Sequence, residues 1–153
     1  MRIALGSDHA GYALKQLVCD HLIGSGYEVI DCGTYSEDRV DYPAFCADAA
    51  RRAVTGEADL AFVFGGSGNG EQMAANKVPG ARAALCHDEY TARLARQHND
   101  ANVCSIGARV TGIDVALSIV DVFVSTAFDG GRHVARIAQL AELDGSAGVA
   151  EPA

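Results

Sequence analysis

Short apolar runs alternate with segments of helical spacing along almost the whole chain, and this alternation restricts the fold more than any other feature. An apolar run at 2–8 precedes a segment at 13–23 in which leucine and valine recur at helical intervals. Four similar pairs follow, with runs at 27–33, 58–66, 81–86 and 101–107 and helical segments at 44–54, 70–78, 88–98 and 113–124. Because right-handed crossovers place helices on both faces of a parallel sheet, we predict an α/β fold: a three-layer α/β/α sandwich with a five-stranded parallel, Rossmann-like sheet.

The length and the C-terminal pattern predict one domain. A further helix is expected after Gly130 and Gly131, extending to about Leu143, and the residues beyond it are mostly small or polar. A chain of 153 residues fits a single core. We therefore predict one domain over 1–143 and a flexible C-terminal tail over 144–153.

Composition and charge narrow the functional classes. The net charge of −8, without a basic run, is unfavourable for binding nucleic acid or an anionic membrane. No apolar run approaches the roughly 20 residues of a membrane span, and the N-terminus lacks a secretory pattern, so we expect a soluble, cytoplasmic protein. Five cysteines without a C-x-x-C pair argue against a disulfide framework or a structural zinc site, and we expect most of them to be buried thiols.

The stretch GGSGNGEQMAANK, at 65–77, places a glycine-rich loop between a predicted strand and a predicted helix. Such loops usually expose main-chain N–H groups to an anion. A P-loop would need Lys and Ser or Thr where Glu71 and Gln72 stand. A nucleophile elbow would need glycine where Asn69 stands, which makes a serine hydrolase a poor fit.

A dinucleotide-binding fingerprint fits the first strand poorly. Gly6 and Gly11 have suitable spacing, and Asp31 would be the ribose ligand. Asp8, however, occupies the position of the middle glycine, where its side chain and charge would obstruct a pyrophosphate. We therefore do not expect NAD binding.

Glu71 and Ser67 give the glycine loop a possible catalytic role. N–H donors beside a carboxylate suit proton abstraction next to a carbonyl, where an enediolate must be stabilised. The competing interpretation is structural: Asn69 caps the helix together with Gln72, and Glu71 complements the helix dipole. Burial would raise the pKa of Glu71 and the dipole would lower it, and the sequence leaves this balance open.

The basic residues and histidines supply further candidates. Arg132 and Arg136 lie one turn apart at the start of the last predicted helix, where like charges repel unless an anion lies between them; a solvated basic face with an acidic partner is the alternative. Arg109 follows the fifth strand and can join this arginine cluster.

Asp8 and His9 follow the first strand, although Asp8 has a possible role as a helix cap. His98 continues an apolar stripe through Tyr90 and Leu94, which favours a structural role when it is considered alone.

The chain contains six motifs that extend across nearly all of it to Leu143: GSDHAGYALK, DYPAF, GGSGNGEQMAANK, RQHNDANV, GARV and GGRHVARI. In their sequence and order, these motifs resemble the RpiB/LacAB sugar-phosphate isomerase family, and within it the type B ribose-5-phosphate isomerases. The resemblance implies a cofactor-free, metal-free aldose–ketose isomerase of the pentose phosphate pathway. It would act through a cis-enediolate, in a homodimer with shared active sites; a tetramer is the alternative assembly.

The resemblance also implies residue roles. One branch of the family has a cysteine base at the position of Gly65, and the other, which this chain resembles, has a glutamate at the position of Glu71. Glu71 would be the base, Ser67 and the loop amides would hold the enediolate, His98 would open the sugar ring, and Asp8 would act at the sugar hydroxyls. The remaining substrate-binding positions are His9, Tyr42, Gly66, Gly68, Asn69, Gly70, Asn99, Arg109, Arg132 and Arg136, with the phosphate expected at His9 and the three arginines.

Two questions stay open at this point. The family also includes enzymes of four- and six-carbon sugar phosphates, so the sequence does not fix the substrate's chain length. A sugar-phosphate-binding module without turnover is the alternative from another functional class, although such a module has no need of Glu71.

Overall fold

The predicted α/β architecture is confirmed. The computed structural model describes residues 1–145, and the predicted tail over 144–153 lies almost entirely outside them. The strands are β1 (Arg2–Ser7), β2 (Glu28–Asp31), β3 (Leu60–Gly65), β4 (Ala83–Leu85) and β5 (Val103–Gly107). The helices are α1 (Tyr12–Gly24), α2 (Pro43–Thr55), α3 (Asn69–Ala75), α4 (Glu89–Asn99), α5 (Ile113–Ser125) and α6 (Arg132–Leu143).

The five strands form one parallel sheet in the order β2-β1-β3-β5-β4. The chain moves outward from β1 to β2, returns to β3, and then reaches β4 before filling the gap with β5. The carboxyl ends of β1, β3 and β5 therefore lie side by side at the centre of one edge. In open parallel sheets this is the edge at which ligands bind.

The two faces of the sheet carry side chains of different size. Large residues such as Phe62, Phe64 and Ile106 pack with α1, α4 and α5. Smaller ones such as Ala4 and Ala61 pack with α2 and α3, so these helices lie close to the strands. The start of helix α6 contacts the end of α4, where His133 lies against His98. The helices thus form a layer on each face of the sheet, and each face has its own apolar core.

The cysteines are all free thiols, and four of the five are buried, as expected for small apolar residues in the core. Burial raises the pKa of Cys32 to about 12. Across residues 1–145 there is no helix long and apolar enough to cross a membrane.

Candidate active site

A cavity of about 500 Å³ lies at the carboxyl ends of the three central strands. The loop after β1 contributes Asp8 and His9, the glycine loop after β3 contributes its backbone and Glu71, and the loop after β5 contributes Arg109. The full lining is Asp8, His9, Ala10, Tyr42, Gly66, Ser67, Gly70, Glu71, Arg109 and Val110. The strand order therefore brings residues from distant parts of the sequence to a single site.

The glycine loop forms a tight turn between the end of β3 and the start of α3. Gly68 has a φ of 81°, which a side chain would disfavour, and it is the N-cap residue of α3. Its carbonyl accepts hydrogen bonds from the Gln72 amide at 3.0 Å and the Ser105 hydroxyl at 2.7 Å. Ser67 is exposed at the cavity, and its Oγ accepts a hydrogen bond from the Asn69 amide at 3.3 Å. This geometry fixes the loop backbone and leaves the serine side chain facing the cavity.

Glu71 is the acidic side chain at the base of the loop. It is 4% exposed, and its Oε2 is buried without a hydrogen-bond partner among the described residues. The carboxylate occupies the space beside Gly65: a Cβ built on Gly65 would lie 1.9 Å from Glu71 Oε1 and 2.1 Å from its Cδ. The absence of a side chain at position 65 is thus what gives the carboxylate its place. An acid held in this way, with one oxygen free, is suited to accepting a proton from a ligand.

The other lining residues are held by their own contacts. Asp8 Oδ1 accepts hydrogen bonds from the amides of Ala10 and Gly11, at 2.9 and 3.0 Å. His9 Nδ1 lies 3.2 Å from the carbonyl of Val40, in the linker before α2. Each side chain is thereby tied to backbone groups near the rim of the cavity.

Two further residues reach the cavity over glycines. The Tyr42 ring packs against Gly70, where an added Cβ would come within 2.5 Å of the ring. Arg109 lies over Gly66, with Nη1 3.4 Å from the corresponding Cβ position, and its amide donates to the Gly66 carbonyl at 3.0 Å. Gly70 therefore leaves room for the Tyr42 ring, whereas a Cβ at Gly66 would make only an ordinary contact with Arg109.

A second cluster of predicted site residues lies elsewhere in the chain. His98 and Asn99 end α4, while Arg132 and Arg136 lie one turn apart at the start of α6. None of the four lines the cavity described above. The loop before α6 is tied to α4, since the Asp129 amide donates to the Gln97 carbonyl at 3.0 Å. Within residues 1–145 neither Arg132 nor Arg136 forms a salt bridge, so the expected alternative, a basic face with an acidic partner, finds no support there.

The chain matches the Ribose/Galactose Isomerase family over residues 3–140. The chain belongs to this family. It is 54% identical over 146 residues to ribose-5-phosphate isomerase B of Mycolicibacterium paratuberculosis, with 94% of this chain and 92% of that protein covered.

Solved structures agree with the assignment to the ribose/galactose isomerase family. The ribose-5-phosphate isomerase B of Clostridium thermocellum superposes with a TM-score of 0.94 at 48% identity, covering 95% of this chain and 99% of that one. The ribose-5-phosphate isomerase B of Mycoplasma genitalium with bound ribulose-5-phosphate gives 0.90 at 38% identity, covering 94% and 96%. The predicted family, the fold class and the classification as an isomerase are confirmed.

Three local predictions for this ribose/galactose isomerase were wrong. Gly68, not Asn69, is the N-cap of α3, because the left-handed conformation at this turn favours glycine. Asp8 is not the N-cap of α1, because that position is taken by Gly11; its carboxylate instead accepts a hydrogen bond from an amide in the turn before the helix. Tyr90 is 64% exposed and does not continue an apolar stripe, because the buried positions of α4 are Ala92 and Ala95.

The dinucleotide alternative has no support in the structure. Asp31, the candidate ribose ligand, bonds instead to the buried Lys15 ammonium and accepts from the Gly33 amide at 2.9 Å. A Cβ at Gly11 would lie 2.4 Å from the Phe64 backbone, so this glycine allows the first turn to pack closely against β3.

Within residues 1–145, no group of His, Cys, Asp or Glu is arranged to hold a metal ion.

Sequence reasoning missed two features of these sites. Ala10 and Val110 line the cavity, but neither has a chemical group that would have drawn attention to it. His133, inside the recognised motif GGRHVARI, packs against His98. Their contact depends on how α6 lies on α4, which periodicity does not specify.

Burial raises the pKa of Glu71, so the balance that the sequence left open is decided. The largest cause is loss of hydration, the nearby charge of Asp8 raises the pKa further, and hydrogen bonding to the backbone of Glu71 and Gly68 opposes both. The ionised carboxylate therefore costs folding free energy, because the folded chain binds the proton more tightly than the unfolded chain.

We expect Glu71→Gln to stabilise the protein against thermal unfolding at neutral pH. An acid whose pKa is raised by folding has its full cost in stability above that pKa, so the advantage of Gln should shrink as the pH falls through the pKa of Glu71 and disappear below the ordinary glutamate range. Melting curves of both proteins between pH 4 and 8 measure the difference. An advantage for Gln that is constant with pH would contradict the assigned cause.

Proposed function

We propose that this chain interconverts D-ribose 5-phosphate and D-ribulose 5-phosphate through a cis-enediolate, with Glu71 as the base. The observation that carries the proposal is the buried Glu71 carboxylate. It lies beside Gly65 at the end of β3, and its Oε2 has no hydrogen-bond partner among the described residues. Relatives named ribose-5-phosphate isomerase B, at 54% and 48% identity, support the choice of substrate.

The reaction requires a base that serves two adjacent carbons. Once the sugar ring is open, Glu71 takes the proton from C2 of the aldose, and the electron pair forms the C1=C2 bond as negative charge moves to O1. A proton passes from O2 to O1, and Glu71 returns its proton to C1, which leaves the ketone at C2. The amides of the loop 66–71 and the Ser67 hydroxyl stabilise the charge on the two oxygens.

The raised pKa of Glu71 suits this cycle. A carboxylate of ordinary acidity is a weak base, and partial loss of hydration raises the pKa of Glu71 and so increases its affinity for the proton. Asp8 lies across the same cavity and can bond to the sugar hydroxyls. His9 and Arg109 also line the cavity and supply hydrogen-bonding groups for the rest of the substrate.

The second cluster points to an active site shared between two copies of the chain. In a parallel α/β sheet the helices run antiparallel to the strands, so the end of α4 lies near the strands' amino ends. The start of β5 shows this directly: the Asn102 carbonyl accepts from the Ala61 amide at 2.9 Å, just after α4 ends at Asn99. The cavity lies at the opposite edge, a strand of five residues away, or about 16 Å.

We therefore propose a homodimer in which a second copy brings His98, Asn99, Arg132 and Arg136 to the cavity of the first. His98 would donate a proton to the ring oxygen as the C1–O4 bond breaks, while the C1 hydroxyl gives its proton to solvent water to form the aldehyde. Asn99 would orient the open chain. Arg132 and Arg136, which form no salt bridge within residues 1–145, would bind the phosphate together with His9 and Arg109.

The proposal is tested by turnover with aldose phosphates of four, five and six carbons, together with unphosphorylated ribose. We expect the highest kcat/KM for ribose 5-phosphate and almost none for ribose, because the phosphate supplies binding energy at the arginines. Preference for a four- or six-carbon phosphate would reassign the substrate within the family. Binding of ribose 5-phosphate without turnover would favour a sugar-phosphate-binding module.

Mixing two inactive variants tests the shared site. Arg136→Ala should lose about 1.5–3 kcal/mol of affinity for a phosphorylated ligand, the value of a charge-assisted hydrogen bond, and Glu71→Gln should lose the base. After subunit exchange, a mixed dimer contains one site with both native residues, so part of the activity should return. Mass spectrometry verifies the exchange, and exchange without recovery would place Glu71 and Arg136 in one chain's site. Arg51→Ala, an exposed arginine on α2, is the matched control.

A further inference from the structure

His133 forms a face-to-face pair with His98. The two ring centroids are 4.3 Å apart and the ring planes differ by 10°. His133 is 7% exposed, and it is the buried residue of α6, whereas its neighbour Val134 is 55% exposed. Helix α6 therefore places a flat, buried side chain against His98, which is the proposed acid for opening the sugar ring.

The charges around this pair favour a neutral His133. Its pKa is lowered first by burial and then by the positive groups that face it, which are His98 on α4 and Arg132 and Arg136 on α6; Asp129, in the preceding loop, opposes them. A neutral imidazole gives His98 an aromatic face without adding a further charge to the cluster. Aromatic faces attract cations, so this contact tolerates a protonated His98.

We propose that His133 is a positioning residue for His98: its buried ring, stacked on the imidazole, holds that imidazole in the orientation needed to deliver a proton to the sugar's ring oxygen. The inference rests on the proposed function. Rotation about the Cβ–ring bond of a histidine is broad and poorly restricted by itself. Stacking on one face restricts this rotation while leaving the ring edge, which carries both nitrogens, available to the substrate.

Ring opening and proton transfer can be measured separately. Ribose 5-phosphate is mainly cyclic and must be opened, whereas ribulose 5-phosphate is acyclic, because the hydroxyl at C5 is phosphorylated. Exchange of the C1 hydrogen of ribulose 5-phosphate with D₂O needs Glu71 but no ring opening. Loss of orientation at His98 should therefore slow net conversion of ribose 5-phosphate and spare the exchange.

The experiment compares His133→Ala, His133→Phe and the neighbouring control Val134→Ala in both assays by NMR. We expect His133→Ala to lower conversion of ribose 5-phosphate about tenfold or more, while deuterium exchange into ribulose 5-phosphate stays within about twofold of the wild type. His133→Phe keeps a flat ring and should recover most of the conversion. Val134→Ala should leave both rates unchanged.

The results that would contradict the role of His133 differ from the result that would contradict the proposed function. Conversion and exchange that fall together in His133→Ala, without recovery in His133→Phe, would assign His133 to folding or phosphate binding and overturn the proposal; unchanged conversion would do the same. If the Ala variant does not fold, His133→Asn, whose small planar amide replaces the ring, takes its place under the same criteria. A wild-type protein that shows neither conversion nor exchange would instead refute the proposed function.

Discussion

Replacing Glu71 with Gln should lower the rate of isomerisation about 10²- to 10⁴-fold or more, because a positioned general base usually contributes a factor of this size. Gln has nearly the same shape but cannot accept the proton from C2. Because the substitution leaves the arginines and the glycine loop unchanged, binding of a phosphorylated sugar-acid analogue should persist. Steady-state rates and calorimetric affinity for the analogue measure the two effects separately.

Glu28→Gln, at the exposed start of β2, is the matched control for this change and should retain full activity. A second measurement links the loss to the proposed intermediate: wild-type protein in D₂O should place deuterium on the carbon next to the carbonyl, and Glu71→Gln should not. Near-normal turnover in Glu71→Gln would remove this residue from the mechanism. Turnover of the wild type without any deuterium uptake would indicate hydride transfer.

Gly65→Ala should reduce kcat by about 10²-fold, through the position of Glu71. The new Cβ would lie 1.9 Å from Glu71 Oε1, so the carboxylate has to leave its place. The protein should still fold, because the nearest atoms are those of a flexible side-chain end and the φ of Gly65 is not among the positive values. Binding of the phosphate should change little, because its proposed ligands are His9 and the three arginines and not the Glu71 carboxylate.

The matched control is Gly24→Ala at the end of α1, where an added Cβ meets no atom within 4 Å. The double variant Gly65→Ala/Glu71→Gln identifies the cause. If the alanine acts by displacing the carboxylate, the double variant should be no slower than Glu71→Gln alone. An additional loss in the double variant would show that Gly65 contributes in another way, and full activity of Gly65→Ala would refute the steric argument.

The same distance gives a physical reason for the two branches that the resemblance implies. A cysteine at position 65 would require the volume that the Glu71 carboxylate fills here. The two proposed bases therefore exclude each other sterically, even though both would face the same cavity. A chain with glycine at this position is suited to the glutamate, at the cost of the stability that an ionised buried carboxylate removes.

Much of the candidate site could be predicted from local sequence. The glycine loop, Glu71, Asp8 and His9 follow strands that periodicity identifies, and parallel strands place such residues at one edge. Tyr42 is a candidate only through the resemblance, and its contact with Gly70 requires that α2 pack against α3. His133 was not singled out, because its partner belongs to another helix.

The sequence by itself determined the number and type of the secondary-structure elements, since the apolar period follows directly from the geometry of strands and helices. It also placed the acid in the glycine loop. Only the tertiary structure decided that β1, β3 and β5 are neighbours, that Glu71 fills the space beside Gly65, and that burial outweighs backbone hydrogen bonding at its carboxylate. Likewise, it decided that His98 stacks on His133 and does not line the cavity. These properties depend on distances between residues far apart in the chain, and neither spacing nor composition encodes such distances.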